Sequence, residues 1–246
     1  KDQSFIVLYP EHELTGPEKT LYEAHIKRRL NREPVSKILG EKEFWSLSFK
    51  TTTDTLDPRP DSETLIEAIL KHFTDQAKPY RILDLGTGTG CLLLSLLTEY
   101  KKATGVGVDF SLKALAVATH NAKTLGLTER TKFIHSNWCE NIKGHFEIIV
   151  SNPPYIPPSH EATLEPELGF DPQEALYGNS QDGLEAYRIL GQQLKKHLAP
   201  QGKIFLEFGQ DQHHYVKNIM QLTGFSHGEW CKDLSGIIRC GVFYGA

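Results

Sequence analysis

A glycine-rich loop between two apolar runs constrains the fold of this chain more than any other feature. Residues 81–85 are predicted to form a buried strand and residues 91–97 an apolar helix, joined by Gly86-Thr87-Gly88-Thr89-Gly90. Glycines let a ligand approach the backbone closely, and the start of the helix presents unpaired N–H groups. The spacing Gly-x-Gly-x-Gly differs from the Gly-x-Gly-x-x-Gly of dinucleotide-binding loops, so a pyrophosphate is matched less well. The loop therefore predicts a ligand site between a strand and a helix.

Strands and helices alternate along most of the chain. An amphipathic helix is predicted at 61–73, followed by strands at 82–85, 106–109, 132–135, 148–151 and 203–208. Residues 199–202 (Ala-Pro-Gln-Gly) are predicted to be a turn that ends a helix over 184–198, and residues 226–230 and 237–244 an antiparallel pair. This order predicts an α/β fold with a doubly wound, mostly parallel seven-stranded sheet. Ligands bind such sheets at the carboxyl ends of the strands, where four polar or glycine positions fall: Gly86, Asp109, Asn137 and Asn152.

Asp109 ends the second predicted strand, about 20 residues after the glycine loop. A carboxylate at that position can accept hydrogen bonds from both hydroxyls of a ribose. The alternative is an acid that only stabilises the start of a helix over residues 111–124. Because Asp109 follows the glycine loop at this spacing, the ribose interpretation is favoured.

The tetrapeptide Asn152-Pro153-Pro154-Tyr155 directly follows the apolar run 146–150. The side-chain oxygen of Asn152 and the backbone carbonyl of Pro153 can both accept hydrogen bonds from a planar NH₂ group, which directs its lone pair toward an electrophilic methyl group. The prolines fix φ, and Tyr155 offers a flat stacking face. The motif therefore predicts methylation of an amide or an exocyclic base amine, with a proline-rich turn as the alternative.

The glycine loop, Asp109 and the tetrapeptide together resemble the class I S-adenosylmethionine-dependent methyltransferases. Further blocks resemble one family more closely, the PrmC/HemK-type protein-glutamine N5-methyltransferases: residues 33–40, 43–45, 58–65, 151–156, 174–178 and 182–184. The resemblance runs from about Glu33 to the C-terminus, and the ordered set of blocks is far more specific than any one of them. It implies a Rossmann-like fold and an enzyme that moves a methyl group from S-adenosylmethionine to the glutamine of the Gly-Gly-Gln motif of peptide-chain release factors. The other product would be S-adenosylhomocysteine.

The resemblance also implies roles for individual residues. The cofactor would be bound by Gly86, Thr87, Gly88, Thr89, Gly90, Asp109, Trp138 and Asn152. The substrate would be bound by Asn152, Pro153, Pro154, Tyr155 and Arg59, with Asn152 and Tyr155 as the catalytic residues. Trp138 would pack on the adenine or else belong to the core, and Arg59 would hold the pocket or an incoming protein loop, or else form a structural ion pair. Transfer is direct and needs no metal, because a sulfonium methyl is already activated.

Two positions depart from the family pattern. Asp57 stands where the family usually has isoleucine or valine before its Pro-Arg-Pro stretch, and the sequence does not indicate what this changes. Asn137 stands where the family usually has an acid before the tryptophan. Its amide oxygen could still accept a hydrogen bond from the adenine amine.

Three parts are predicted along the chain: an N-terminal helical substrate-docking segment over 1–40, a linking β-hairpin over 41–55, and the catalytic domain over 56–246. The helix of the first part is predicted at 16–31. Because the sequence begins with Lys1, the docking segment is expected to be incomplete.

Composition constrains partners and location. The chain has 246 residues with a net charge of −4, so nucleic acid is not an expected partner, and the basic cluster 27–29 with Arg32 is expected to be a solvated helix face. No apolar stretch of 18 residues predicts a membrane span. Four cysteines without metal-ligand spacing favour free thiols and a cytoplasmic protein, or one of an organellar matrix in a eukaryote.

Three functions stay open at this point. The chain could methylate the release-factor glutamine, or it could methylate adenine N6 or guanine N2 in DNA or RNA, since an Asn-Pro-Pro-aromatic motif also serves those reactions. It could also be a binding subunit that kept the fold without the chemistry. The intact glycine loop, Asp109 and Asn152 argue against the third function, and the acidic charge argues against the second.

Overall fold

The computed structural model describes residues 3–178 and 180–245 of the chain. The outer limits of the predicted docking segment and catalytic domain, residues 1 and 246, lie outside the described residues, as do residues 2 and 179.

Three helices form the N-terminal part: α1 (Gln3–Leu8), α2 (Gly16–Leu30) and α3 (Val35–Leu39). The predicted helix at 16–31 is confirmed as α2, and its start is fixed by Glu18, which accepts a hydrogen bond from the Thr15 backbone at 2.9 Å. None of its residues is buried, and Leu21 and Leu30 on its surface are 58% and 76% exposed.

A two-stranded hairpin follows, made of β1 (Glu41–Phe44) and β2 (Leu47–Lys50). Its two turn residues, Trp45 and Ser46, both have positive φ, which matches the right-handed twist of the paired strands. The predicted hairpin is therefore confirmed, and Phe44 and Phe49 bury their side chains against the larger domain.

Seven strands make the central sheet: β3 (Arg81–Leu85), β4 (Thr104–Asp109), β5 (Thr131–His135), β6 (Phe146–Ser151), β7 (Leu198–Glu207), β8 (Phe225–Lys232) and β9 (Ile238–Gly245). Their order is β5-β4-β3-β6-β7-β9-β8. The first five are parallel, and β9 runs antiparallel to both of its neighbours, β7 and β8. The predicted doubly wound, mostly parallel sheet and its closing antiparallel pair are confirmed.

Helices cover both faces of this sheet: α4 (Glu63–His72), α5 (Cys91–Glu99), α6 (Leu112–Thr124), α8 (Glu185–Gln193) and α9 (His213–Leu222). A short helix, α7 (Gln173–Leu176), lies between α6 and α8 in the sequence. Alternate strand residues enter two separate cores, Ile82 on the face of α4 and α5, and Leu83 on the face of α8 and α9. Leu65, Ile66 and Ile69 of α4 are fully buried, as the amphipathic pattern predicts. The strand ends are thereby held rigidly at one edge of the sheet.

The turn predicted at residues 199–202 is wrong in its placement. The helix before it ends at Gln193, and the four residues lie within β7, where they bulge out of the ladder. Phe146 pairs with Leu198 and Ile148 pairs with Lys203, so the intervening residues have no partners in β6. The strand begins early because the backbone N–H of Phe146 already donates to His197, at 2.8 Å.

Residues 156–178, called here the post-motif segment, leave the sheet after the tetrapeptide and return to it. The segment holds two 3₁₀ helices (Pro158–Thr163 and Pro166–Phe170) and α7. A parallel β-bridge between Ile156 and Tyr177 joins its two ends. Within the described ranges, every helix is too short or too polar to cross a membrane.

Candidate active site

The carboxyl edge of the sheet brings the predicted site residues together. Gly86 follows β3, Asp109 ends β4, Trp138 follows β5 and Asn152 follows β6. A Cβ atom placed on Gly86 would lie 3.9 Å from the backbone oxygen of Asn152 and 4.0 Å from the Trp138 ring. Three loops that are distant in sequence therefore border one small space.

The glycine loop turns sharply and leaves its outer side open. Gly86, Gly88 and Gly90 have φ of 74°, 54° and 81°, which favours glycine at each. A Cβ on Gly88 would meet no atom within 4 Å, whereas one on Gly90 would lie 3.1 Å from Leu94. Gly88 thus leaves room for a ligand, and Gly90 lets α5 start close to its neighbours.

The two threonines of the loop point inward. Thr87 and Thr89 are buried, and the Thr87 hydroxyl donates to Asp84 Oδ2 at 2.6 Å. Asp84 lies inside β3, and burial raises the pKa of its carboxyl to about 7. The Thr87 backbone N–H also donates to Val108 at 2.8 Å, and its carbonyl accepts from Gly90 at 2.7 Å. The two threonines therefore hold the loop, and the cofactor contacts expected of them stay predictions.

Asp109 is linked to the glycine loop. Its Oδ2 accepts a hydrogen bond from the Gly88 backbone and its Oδ1 accepts one from the Ser111 backbone, both at 2.9 Å. Burial raises the pKa of this carboxyl, and the backbone donors act against that rise. Each carboxylate oxygen keeps a second lone pair, so the pair can still accept two hydroxyl groups.

Trp138 is half-buried, with one part of its ring against the core on the face of α8 and α9 and another near Gly86. The preceding Asn137 is exposed and donates from Nδ2 to Glu140 at 2.8 Å. Because its nitrogen is held by Glu140, the amide oxygen is the Asn137 atom placed to accept a hydrogen bond.

The side chain of Asn152 is held by a residue from another part of the chain. Its Nδ2 donates to the hydroxyl of Ser62 at 3.1 Å, and Ser62 is buried in the 3₁₀ turn that precedes α4. With the nitrogen turned toward Ser62, the amide oxygen faces the other way. This is the orientation that an NH₂ substrate requires.

Tyr155 is fixed through its backbone and its ring. Its carbonyl accepts a hydrogen bond from Gln212 Nε2 at 2.9 Å. A Cβ on Gly183 would lie 2.3 Å from that same carbonyl, so only glycine lets the chain pass the tetrapeptide there. Burial raises the pKa of the Tyr155 phenol, so the ring is neutral at pH 7.

Glu207, at the end of β7, was not identified from the sequence. It is 2% exposed, and the pairing of Ser151 with Leu206 places it beside Asn152. Burial raises the pKa of its carboxyl to about 7, although hydrogen bonding from Ser62 and Asn152 lowers it. The signal that could have identified it is an acid within the apolar run 204–208.

Arg59 forms an ion pair, which was one of the two alternatives for this residue. Its guanidinium donates to Asp171 Oδ2 at 2.6 Å, and its side chain is 40% exposed. Asp171 belongs to the post-motif segment and also faces Lys37 of α3, at 3.1 Å. Lys37 in turn lies 2.8 Å from Asp57 and donates to two backbone carbonyls, those of Thr52 and Thr55.

The departure at Asp57 therefore has a structural explanation. Asp57 is buried, accepts a hydrogen bond from the Ser36 hydroxyl and neutralises the buried ammonium of Lys37. An isoleucine or valine at this position would leave Lys37 with one carboxylate fewer. The sequence did not indicate this cluster, because its members come from three separate stretches.

A second link joins the N-terminal helices to the post-motif segment. Arg29 and Arg32 bind the two oxygens of Glu167, each at 2.8 Å. The two arginine side chains are 40% and 54% exposed, so they lie on a solvated helix face as expected, and they also form ion pairs that the sequence did not indicate.

The chain matches two family models. The "Methyltransferase small domain" matches residues 57–165 and the "PrmC N-terminal domain" matches residues 1–40. Two curated relatives are each named "Release factor glutamine methyltransferase". The one from Rhodospirillum rubrum is 47% identical over 96% of this chain and 72% of its own length. The one from Agrobacterium fabrum is 44% identical over 96% of this chain and 83% of its own length.

Solved structures share the fold at low identity. A methyltransferase from Pyrococcus furiosus superposes with a TM-score of 0.60 at 17% identity, covering 90% of this chain and 96% of that one. A ribosomal protein L11 methylase from Lactobacillus delbrueckii subsp. bulgaricus gives 0.57 at 16% identity, covering 78% and 81%. These two likenesses establish the fold alone.

Proposed function

We propose that this chain, which belongs to the family of release factor glutamine methyltransferases, transfers a methyl group from S-adenosylmethionine to N5 of a release-factor glutamine. The observation that carries the proposal is the orientation of Asn152, whose nitrogen is held by Ser62 so that its oxygen is left for the acceptor amide. The acceptor would be the glutamine of the Gly-Gly-Gln motif. Such a substrate would be met where translation terminates, so the proposed location is the cytoplasm or an organellar matrix.

The residues at the carboxyl edge fit S-adenosylmethionine. The open side of Gly88 would accommodate the methionine part, Asp109 would accept the ribose hydroxyls, and Trp138 would cover the adenine. The Asn137 oxygen would accept from the adenine amine. When bound, the sulfonium supplies a methyl group that needs no further activation.

The protein's own contribution to the reaction is alignment. The Asn152 oxygen and the Pro153 carbonyl accept the two N–H bonds of the acceptor amide, and Tyr155 and Pro154 form the wall beside it. So aligned, the acceptor nitrogen would take the methyl group in one displacement, with the electron pair of the broken carbon–sulfur bond left on sulfur. The N-protonated amide that results is acidic and loses its proton to solvent, so no strong base is required.

The N-terminal helices would act as the docking segment for the release factor. The links from Arg29 and Arg32 to Glu167, and from Lys37 to Asp171, connect these helices to the post-motif segment beside the tetrapeptide. Docking contacts far from the glutamine could thereby contribute binding energy that positions it.

The test offers labelled S-adenosylmethionine with intact release factor, a short Gly-Gly-Gln peptide, DNA and RNA in parallel. The proposal predicts one added methyl on the release-factor glutamine, located by mass spectrometry, with far lower activity on the peptide. Label on DNA or RNA with unmodified release factor would replace this function with nucleic-acid methylation.

A further inference from the structure

A buried carboxyl with an unpartnered oxygen lies next to the proposed catalytic asparagine. Glu207 ends β7, and the neighbouring strand β6 leads into Asn152, with Ser151 paired to Leu206. The Glu207 residue is 2% exposed, and its Oε2 has no hydrogen-bond partner among residues 3–178 and 180–245. An unpaired buried carboxyl oxygen is costly, so a donor is expected to face it in the working site.

Two neighbours can supply that donor. The Ser62 hydroxyl and the Asn152 amide lie 3.1 Å apart. Burial raises the pKa of the Glu207 carboxyl, and hydrogen bonding from these two neighbours acts against that rise. The Asn152 nitrogen carries two N–H bonds, and Ser62 takes one of them. The second is therefore available to Glu207.

We propose that Glu207 is a positioning residue that fixes the orientation of the Asn152 amide. Glu207 and Ser62 together accept both N–H bonds of that amide, so its oxygen points toward the acceptor nitrogen. An amide rotated by 180° would present an NH₂ group to the NH₂ of the substrate, which places donor against donor. This role rests on one part of the proposed function, namely that Asn152 binds the acceptor nitrogen.

The kinetic test compares Glu207→Leu, which cannot accept a hydrogen bond, with Glu207→Gln, whose side-chain oxygen still can. Glu207→Leu should lower kcat by about a hundredfold or more while KM for the acceptor changes by less than about threefold. Glu207→Gln should retain kcat within about tenfold of the unmodified enzyme. Equal loss in both variants would overturn the proposal, since it would point to the charge or to proton transfer instead.

A double-mutant cycle shows whether Glu207 acts through Asn152. In single-turnover reactions, Glu207→Leu should add less than about a threefold loss once Asn152 is already alanine. Independent losses in the two variants would overturn the proposal, because residues that act as one unit are not additive.

A spectroscopic readout separates this proposal from the identity of the acceptor. The ¹⁵N–¹H₂ side-chain resonances of Asn152, assigned by their absence in Asn152→Ala, should shift in Glu207→Leu and in Ser62→Ala without any substrate. Cofactor affinity by calorimetry controls for folding, and Glu207→Met, which also lacks an acceptor oxygen, replaces the leucine variant if that variant fails to fold. Unchanged Asn152 resonances would overturn the role of Glu207, whereas shifted resonances with unmodified release factor would overturn only the proposed substrate.

Discussion

The ammonium of Lys37 lies 3.1 Å from the carboxylate of Asp171, which joins the last N-terminal helix to the post-motif segment. The Lys37 side chain is 1% exposed, and Asp57 lies 2.8 Å from it on another side. A buried ammonium needs such partners, because removal from water disfavours the charge. The entry to the catalytic domain and the segment beside the tetrapeptide therefore depend on the same lysine.

Replacing Lys37 with methionine should lower the free energy of unfolding by about 3–5 kcal/mol, because buried Asp57 would lose its counter-charge and Asp171 would keep only Arg59. Lys113→Met is the matched control, since the Lys113 side chain is 77% exposed and its pair with Asp54 should contribute only about 0–1 kcal/mol. Denaturant unfolding measures the free energy of unfolding of both variants. Similar small losses in the two variants would show that the cluster is not buried as described.

Replacing Glu167 with glutamine removes the negative charge that pairs with Arg29 and Arg32. The link between the N-terminal helices and the post-motif segment should therefore weaken. We expect KM for intact release factor to rise several-fold while the cofactor affinity stays the same, since Glu167 is not among the residues proposed to bind the cofactor. Glu165→Gln is the control, because Glu165 is exposed in the same segment. An equal change of KM in the two variants would contradict the proposed link between docking and the acceptor pocket.

The sequence predicted those parts of the fold and the site whose signals are local. The glycine loop, Asp109 and the tetrapeptide each follow a strand in a short stretch, so their position at one edge of the sheet could be inferred. The position of Glu207 beside Asn152 depends on the pairing of β7 with β6. No local pattern encodes that register.

The other features that the sequence did not predict correctly have the same physical origin. Ser62 meets Asn152, and Lys37 meets Asp171, only after the sheet has brought separate loops together. The turn predicted at 199–202 was misplaced because a Pro-Gly pattern is also compatible with a bulge inside a strand.

Replacing Asp109 with alanine should weaken S-adenosylmethionine binding by about a hundredfold or more. The change removes charge-assisted hydrogen bonds to the ribose, each worth about 1.5–3 kcal/mol. Glu129→Ala, an exposed acid near the amino end of β5, is the control. If calorimetry gave the same affinity for Asp109→Ala and the unmodified chain, the ribose role of Asp109 would be refuted. Tight binding of a nicotinamide dinucleotide would refute the choice of cofactor.

Stability should depend on pH through the buried acids. Burial raises the pKa of Asp84 from 3.8 to about 7, so the folded state keeps a proton that the unfolded state has already lost. This contribution is fully present below about pH 4 and is lost as the pH rises through 7. Asp84→Asn should therefore gain stability relative to the unmodified chain between pH 5 and 8.

The comparison with Asp84→Asn is needed because four histidines titrate in the same range. Burial lowers the pKa of His72, His197, His213 and His227, so their contribution is lost as the pH falls, which is the opposite direction. Urea unfolding at several pH values gives the difference between the two proteins. A difference that stays constant from pH 5 to 8 would contradict a protonated Asp84.

The most direct test of the account is methyl transfer by Asn152→Ala to intact release factor, measured beside cofactor binding. The unmodified chain should place one methyl on the release-factor glutamine. Asn152→Ala should lose multiple-turnover methylation and keep only a trace that single-turnover reactions detect, while it binds S-adenosylmethionine within about tenfold of the unmodified affinity. Mass spectrometry of the glutamine peptide and calorimetry give the two readings. Near-normal turnover by Asn152→Ala would contradict the account, since the orientation of Asn152 by Ser62 would then have no part in the reaction.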